Sequence, residues 1–588
     1  MIFFKIFTAL ALILSLSPVF AQQKSNTTSI PLDIDADFLY LPISCESEYR
    51  LVRIVDVNGV EVFSEPVMLA SGKGQWFAPV NVSAQKGRKL FVEFDNKGFI
   101  GEPIILLSDS VFSRDYSKDK GRPKYHISAT NGVLGASSGL FFFEGKYYAY
   151  ILQNPKGMAM LGRFQLALWE SSDLVNWESV DSVNFFKSQI VSPASAYVDN
   201  FNKSGLFSTK GKGIIFAASN ERNKTFLASA ERIEDIKLVD DGKPILSGEG
   251  KWPFLFYNKD SGLWTIVRTE SNDSGKTNFA AIYVSKDLRE WEFVDKAFEG
   301  LANTNVNMAS VGVLGADSQK KWVLLAGDGS YIVGDFDGKS FKQISKKPLQ
   351  IFAGLVSFVQ AWSNMPNSNL VATATLVQPL PVMLHIKQQF VNTLSLPWQL
   401  DLVRVIGGEY QLRASVPSQI MEHIGFHKDA VGGDMIFRSN TFVLPEAHGN
   451  YCMYSGTFEV DNTSSVSFEV GTAVFGYDLD SHKFFMRRLL KDIASWDAPV
   501  KRSLKIIPHK TFVDSYSAEM AWFSGDIVLM MGDSFLNPEQ TIKVGAAGVV
   551  RVSQLDMFPV FKNKIKALRN ATIKVFRSKS EQTQEQLK

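Results

Sequence analysis

The feature that most constrains this chain is a repeated hairpin. Residues 140–152 read LFFFEGKYYAYIL, two β-rich runs around Glu144-Gly145-Lys146. Residues 254–267, FLFYNKDSGLWTIV, do the same around Asp260-Ser261-Gly262, and residues 321–336, KWVLLAGDGSYIVGDF, around Gly327-Asp328-Gly329. Aromatic and β-branched runs broken by glycine-bearing turns predict antiparallel hairpins. There is also an internal echo. WESSDLVNWE (169–178) and YVSKDLREWE (283–292) share Ser-x-Asp-Leu-x-x-Trp-Glu, each after a hairpin-like run. The alternative to a true repeat is chance likeness of two edge turns. Whole hairpins lie between the copies, which favours propeller blades. Long amphipathic helices are hard to find, so an all-β fold is expected.

The chain has 588 residues. Its first residues predict an export signal: Lys5, a mostly apolar run over 7–20, and the small-x-small site Val19-Phe20-Ala21, with cleavage near Ala21. The apolar run is short for a bilayer and no second membrane segment is evident, so no transmembrane anchor is expected. The product is expected to be periplasmic or extracellular. About 560 residues after cleavage exceed one core. Residues 22–107 carry short strands (DFLYLPI, YRLVRIVD, KLFVEFD) and predict a small β-sandwich; 108–121 is a polar linker; 122–382 holds the hairpin repeats; 383–577 is a second β-rich block; 578–588 is a polar tail. A net charge of +2 argues against a nucleic-acid partner or a dedicated membrane-surface role. The two cysteines, Cys45 and Cys452, read as separate buried thiols, although one remote disulfide is conceivable. The assembly state stays open.

The segment GRPKYHISATNGVLGASSGLFFFEGKYYAYILQNP (121–155) resembles the opening of glycoside hydrolase family 32, the invertase, levanase and inulinase family. That family's motif runs R-P-x-F-H-F, then G-W-L-N-D-P-N-G-L, then F-Y-Q-Y-N-P. Arg122, Pro123, His126, Gly132, Leu134, Gly139, Leu140, Asn154 and Pro155 match it. Further on, residues 383–418 resemble the family's crossover, and residues 509–538 its late strands, where F-V-D-x-S-x-E is matched by Phe512, Val513, Asp514 and Glu519. The resemblance implies a five-bladed β-propeller followed by a β-sandwich. It also implies an N-terminal block like the small extra domain of some levanase-like members.

The positions that carry chemistry differ. The resemblance places the family's nucleophilic Asp on Ala136, the transition-state-stabilising Asp of R-D-P on Trp252 (in Lys251-Trp252-Pro253), and the acid/base Glu on Asn307. Retaining hydrolysis needs two carboxyl groups roughly 5 Å apart. A methyl, an indole and an amide supply none. The sugar-holding positions fall on Leu152, on 192–195 with Ser195, and near Thr373-Ala374-Thr375. Trp252, Asn307 and Ser195 are the carbohydrate-binding candidates. Trp252 either stacks on a sugar face or plugs the old cavity, and Asn307 either meets a hydroxyl or acts as a structural amide. Glu144, Glu170, Glu221 and Glu270 are conceivable substitute acids, but solvated strand edges explain them better.

Two other motifs carry little weight. Gly135-Ala136-Ser137-Ser138-Gly139 spells G-x-S-x-G, yet a hairpin follows where a nucleophile elbow needs a helix. His423 and His427 are four apart, but Gly425 between them argues for two surface or loop histidines rather than a metal pair. No zinc, calcium-loop, phosphate-loop or dinucleotide pattern occurs, so neither metal nor organic cofactor is expected. The reading is an exported, non-hydrolytic protein with a carbohydrate partner, fructan or a related glycan. The alternatives are an active exported glycosidase with relocated acids, and a protein-interaction module on a propeller.

Overall fold

The computed structural model describes residues 27–112 and 121–560, apart from 181–194, 430–434, 444–450, 498–504, 534–541 and gaps of one to three residues. The expected export signal, tail, His427 and Glu221 lie outside the described residues. The chain divides into two compact units.

The first unit comprises the chain up to Phe112 together with residues 155–163. It holds two small antiparallel sheets. One orders Thr27–Asp33, Lys89–Asp95, Arg50–Asp56 and Glu61–Val67; the other orders Trp76–Asn81, Phe38–Ile43 and Leu106–Ser108. Alternation along Lys89–Asp95 sends Leu90, Val92 and Phe94 into the core and the polar residues outward. The 155–163 segment is fastened within this unit. Trp76 Nε1 donates to the carbonyl of Pro155 at 2.7 Å, Ala159 N–H donates to Tyr49 Oη at 2.7 Å, and Lys156 pairs with Glu65 at 3.0 Å.

The second unit contains five sheets around a ring and a larger β-structure after them. The inner strands are Gly132–Phe143, Ser195–Asp199, Lys251–Asn258, Val306–Gly312 and Val356–Ala361, of blades I to V. Each touches the next, and the fifth returns to the first. The predicted hairpins form, with turns at Glu144-Gly145, 259–262 and 327–329. At the last of these a side chain on Gly329 would lie 2.1 Å from the Phe352 carbonyl, so the chain needs glycine there. Blades adhere through apolar faces: Phe141, Tyr150, Ile214 and Phe216 join I to II, and Val267, Ile282, Met308 and Leu324 join III to IV.

The sequence echo is a real structural repeat. In blade I, Leu174 N–H donates to Ser171 Oγ at 2.9 Å, Asn176 N–H to Asp173 Oδ1 at 2.8 Å, and Trp177 Nε1 to the Leu174 carbonyl at 3.1 Å. Blade III repeats all three with Ser285, Asp287, Leu288, Glu290 and Trp291, at 2.9, 3.0 and 3.1 Å. Leu174 and Leu288 share positive φ values of 65° and 67°. Serine and aspartate hold such turns by bonding their own backbone two or three residues on.

The fifth blade continues past the expected boundary at 382. Its strands are Val356–Ala361, Leu370–Leu376, Trp398–Arg404 and Tyr410–Ser415, while Phe390–Val391 runs parallel beside the inner strand of blade I. His423 is fully buried rather than at the surface, with Nε2 3.3 Å from Asp173 Oδ2. The G-x-S-x-G segment lies within the strand Gly132–Phe143, which is no place for a nucleophile elbow. Cys45 and Cys452 are both buried and form no disulfide, and burial pushes the Cys452 thiol up to about 11.

Beyond the ring, the long strand Cys452–Val470 pairs with Ile506–Val513 along one half and Ala473–Asp478 along the other; Ile542–Pro559 follows its opposite edge. Bulges after Ser455 and Asp461 bend this ladder, so two layers close on Tyr454, Phe458, Phe468, Phe475, Trp522 and Leu529. This is the β-sandwich. It joins the ring through Phe352–Gly354, which pairs in parallel with Ile527–Gly532.

A buried ionic clasp completes the junction. His126 Nδ1 lies 2.9 Å from Asp514 Oδ2, and Nε2 lies 2.7 Å from Glu519 Oε1, all three side chains fully buried. Asp514 also accepts the N–H groups of Lys124, Tyr125 and Ser515. Glu519 accepts Leu396 N–H and Trp398 Nε1. Burial opposes a charge on His126, but the hydrogen bonds it donates to the two carboxylates outweigh that and raise its pKa from 6.5 to about 9. The contribution of this pair of contacts is therefore complete below pH 6.5 and fades as pH rises through 9, on the order of 3 kcal/mol in all. His126→Asn is expected to cost about 3–5 kcal/mol near pH 6 and to flatten the alkaline limb of a denaturant-measured stability profile.

His509 has the opposite setting. Its ring stacks on Phe458 at 4.7 Å and lies near Trp522, with both nitrogens buried and unbonded. Burial lowers its pKa to about 3, so the folded state loses stability as pH falls from 6.5 toward 3. His509→Leu should remove roughly 2 kcal/mol of that loss at pH 5, read as a smaller drop in urea midpoint between pH 7.5 and 5.

Candidate functional site: the propeller hub

The hub is where inner strands from several blades converge, and Trp252 and Asn307 line one cavity there. Ala136 sits in the inner strand of blade I beside an irregularity in its pairing after Leu134, and is buried. Trp252 sits in the inner strand of blade III with φ 55°, at a bulge between Lys251 and Phe254. Opposite, Phe358 of blade V has φ 50° at another bulge, between Ser357 and Gln360. Left-handed backbone costs a bulky residue of order 1–3 kcal/mol and persists only where surroundings enforce it. The two rings meet edge to face, centroids 6.0 Å apart at 75°. An edge-to-face pair adds about 0.5–1.5 kcal/mol beyond the area it buries.

Ser137, Trp252, Pro253, Phe254, Asn305, Val306, Asn307 and Gln360 line the cavity that remains, of about 10 Å³. That is room for about one water molecule. No sugar ring fits in it. Its described lining has no carboxylate.

The polar candidates at the hub are engaged by the backbone. Asn307 Nδ2 donates to the carbonyls of Leu325 at 3.0 Å and Val359 at 2.8 Å, while its Oδ1 accepts Ala361 N–H at 3.0 Å. One amide thus ties blade IV to blade V. Asn305 repeats the tie, its Nδ2 donating to Val359 at 2.7 Å. Ser195 Oγ accepts Leu255 N–H at 2.9 Å, tying blade II to blade III. Thr375 Oγ1 donates to the Gly135 carbonyl at 3.0 Å, and Thr373 Oγ1 accepts Trp362 Nε1 at 2.8 Å.

The conceivable substitute acids are occupied elsewhere. Glu144 lies 3.3 Å from Lys212, Glu170 2.7 Å from Lys146, and Glu270 2.6 Å from the buried Arg268 while accepting Tyr283 Oη. Among the described residues no cluster of three His, Cys, Asp or Glu is arranged to hold a metal. Sequence reasoning missed Phe358, Asn305 and Gln360. The only signal for Phe358 would have been a bulge in blade V, and periodicity does not reveal one.

The fold defines a class, a propeller followed by a β-sandwich, and the described lining of its hub cavity holds no carboxylate. Residues 126–402 match the glycosyl hydrolases family 32 N-terminal domain. The levanase of Bacillus subtilis (strain 168) is 24% identical over 526 residues, covering 78% of this chain and 74% of the relative. The invertase of Schizosaccharomyces pombe is 27% identical over 260 residues, covering 38% of this chain and 43% of the relative. The exo-inulinase structure from Aspergillus awamori superposes with a TM-score of 0.62 at 17% identity, over 76% of this chain and 99% of that one, which establishes the fold. The chain is a glycoside hydrolase family 32-like protein.

The amide tie yields a test. Asn307→Asp replaces a donor facing two carbonyls with an acceptor and should cost about 3 kcal/mol or more, whereas Ser195→Ala removes one bond and should cost about 1 kcal/mol. Urea unfolding of both variants checks the ranking.

Proposed function

We propose that this chain is an exported, non-hydrolytic glycan-binding protein on a glycoside hydrolase family 32 scaffold, with fructan or a related polysaccharide as partner. The observation that carries this reading is the hub, where Trp252 and Phe358 close the space and its described lining offers no acid. Two carboxyl groups across the bond are the minimum for this hydrolysis, one to attack or activate and one to exchange the proton. Matches to a levanase and an invertase support the substrate class. Those same names favour the second reading, an active glycosidase whose acids have moved.

The two readings separate on one preparation. Incubation with sucrose, levan and inulin should release no reducing sugar, while calorimetry with the same polysaccharides should show heat. Reducing sugar that disappears when Glu170 or Glu270 is replaced would establish relocated catalysis instead. Restoring Ala136→Asp, Trp252→Asp and Asn307→Glu together should leave activity near background. The new acids would replace the closing indole and an inter-blade amide, and no sugar contacts come with them. Substantial levan cleavage by that triple variant would show that the hub still recognises substrate.

A further inference from the structure

We propose that the sugar is held outside the hub, in a polar pocket on the rim of blades II to IV; this rests on the glycan-binding reading above. The pocket encloses about 260 Å³ and is lined by Asn223, Lys251, Thr269, Ser271 and Asn303. None of these residues lines the hub cavity. Its volume is just below the roughly 300–1,000 Å³ typical of small-molecule sites, which suits one sugar ring rather than a polymer segment.

Its elements explain its place. Asn223 comes from the turn joining Gly213–Ser219 to Thr225–Ala230 in blade II. Lys251 and Thr269 are register partners on neighbouring strands of blade III, with Ser271 two residues along the same face. Asn303 lies on the connection from blade III to blade IV. Glu270 points to the other face, where Arg268 and Tyr283 hold it.

The chemistry of the lining is that of a polyol site. Thr269 Oγ1 donates to the Thr304 carbonyl at 2.6 Å, and Ser271 Oγ donates to Asn278 Oδ1 at 2.9 Å. Both hydroxyl protons are committed, so any hydrogen bond these two oxygens make to a ligand is one they accept. Lys251 supplies an ammonium donor, and the amides of Asn223 and Asn303 supply both donor and acceptor. A ring bearing adjacent hydroxyls both gives and takes hydrogen bonds and matches this set. Lys251 Nζ also lies 5.8 Å from the Trp252 ring centre, which puts the half-buried indole beside the pocket.

Calorimetry on the full chain with fructose and with short levan and inulin oligosaccharides tests the placement. Asn303 is exposed and Lys251 half-buried, so Asn303→Ala and Lys251→Met should fold normally, which a thermal melt checks. Each should weaken binding by about tenfold or more, while Ser137→Ala in the hub cavity leaves it unchanged. Binding that survives both rim variants overturns the rim placement and leaves the glycan-binding reading standing. Loss with Ser137→Ala alone moves the ligand to the hub. No heat from the unaltered protein with any of these sugars sinks both.

Discussion

The structure turns on one buried imidazole. His126 stands at the entrance to the first blade, yet its partners, Asp514 and Glu519, lie nearly four hundred residues later in the sandwich. Charges buried without solvent are costly unless every lone pair and proton is satisfied. Here they are held from all sides. Backbone amides from the Lys124-Tyr125 step and Ser515 converge on Asp514, and Leu396 and Trp398 reach Glu519 from the crossover. Arg122 extends the arrangement, donating to Ser128, Ala129 and Thr130 while stacking over Phe390 at 4.3 Å. The start of the ring, its last connection and the sandwich are thereby held in one geometry. Apolar packing alone would leave their register free to slide.

That frame imposes a stiff hub. Five inner strands are brought close together, and their bulges set which side chains face the centre. Here residues at the hub complete the ring itself. Asn307 and Ser195 satisfy backbone groups of neighbouring blades, and Trp252 covers the centre against Phe358. Side chains at the hub are spent on cohesion between blades. Polar, unclosed space occurs instead at the rim, beside the connections between blades.

Much of this architecture was legible because its causes are local. The hairpins followed from β-rich runs around glycine turns. The Ser-x-Asp-Leu-x-x-Trp-Glu echo predicted a repeat because its bonds all close within a few residues, so the same letters build the same turn in blades I and III. The end of the propeller was not legible. Trp398–Arg404 and Tyr410–Ser415 belong to blade V only through pairing with Leu370–Leu376 across an intervening turn of helix and two short strands. His423 lies in a loop, one of the two settings expected for it, but is buried beside Asp173 of blade I, a neighbour the loop's own residues do not reveal.

The amino-acid sequence by itself determined the all-β class, the repeating blade and the motifs that clasp ring to sandwich. Only the tertiary structure decided what Trp252 and Asn307 do. Trp252 could line a cleft or close one, and the answer lay with Phe358, more than a hundred residues away. Asn307 could meet a ligand or a neighbouring strand, and the answer lay with Val359 and Ala361. The physical reason is saturation. A side chain has few donors, few acceptors and one volume, and long-range neighbours determine whether any of them remains free for a ligand.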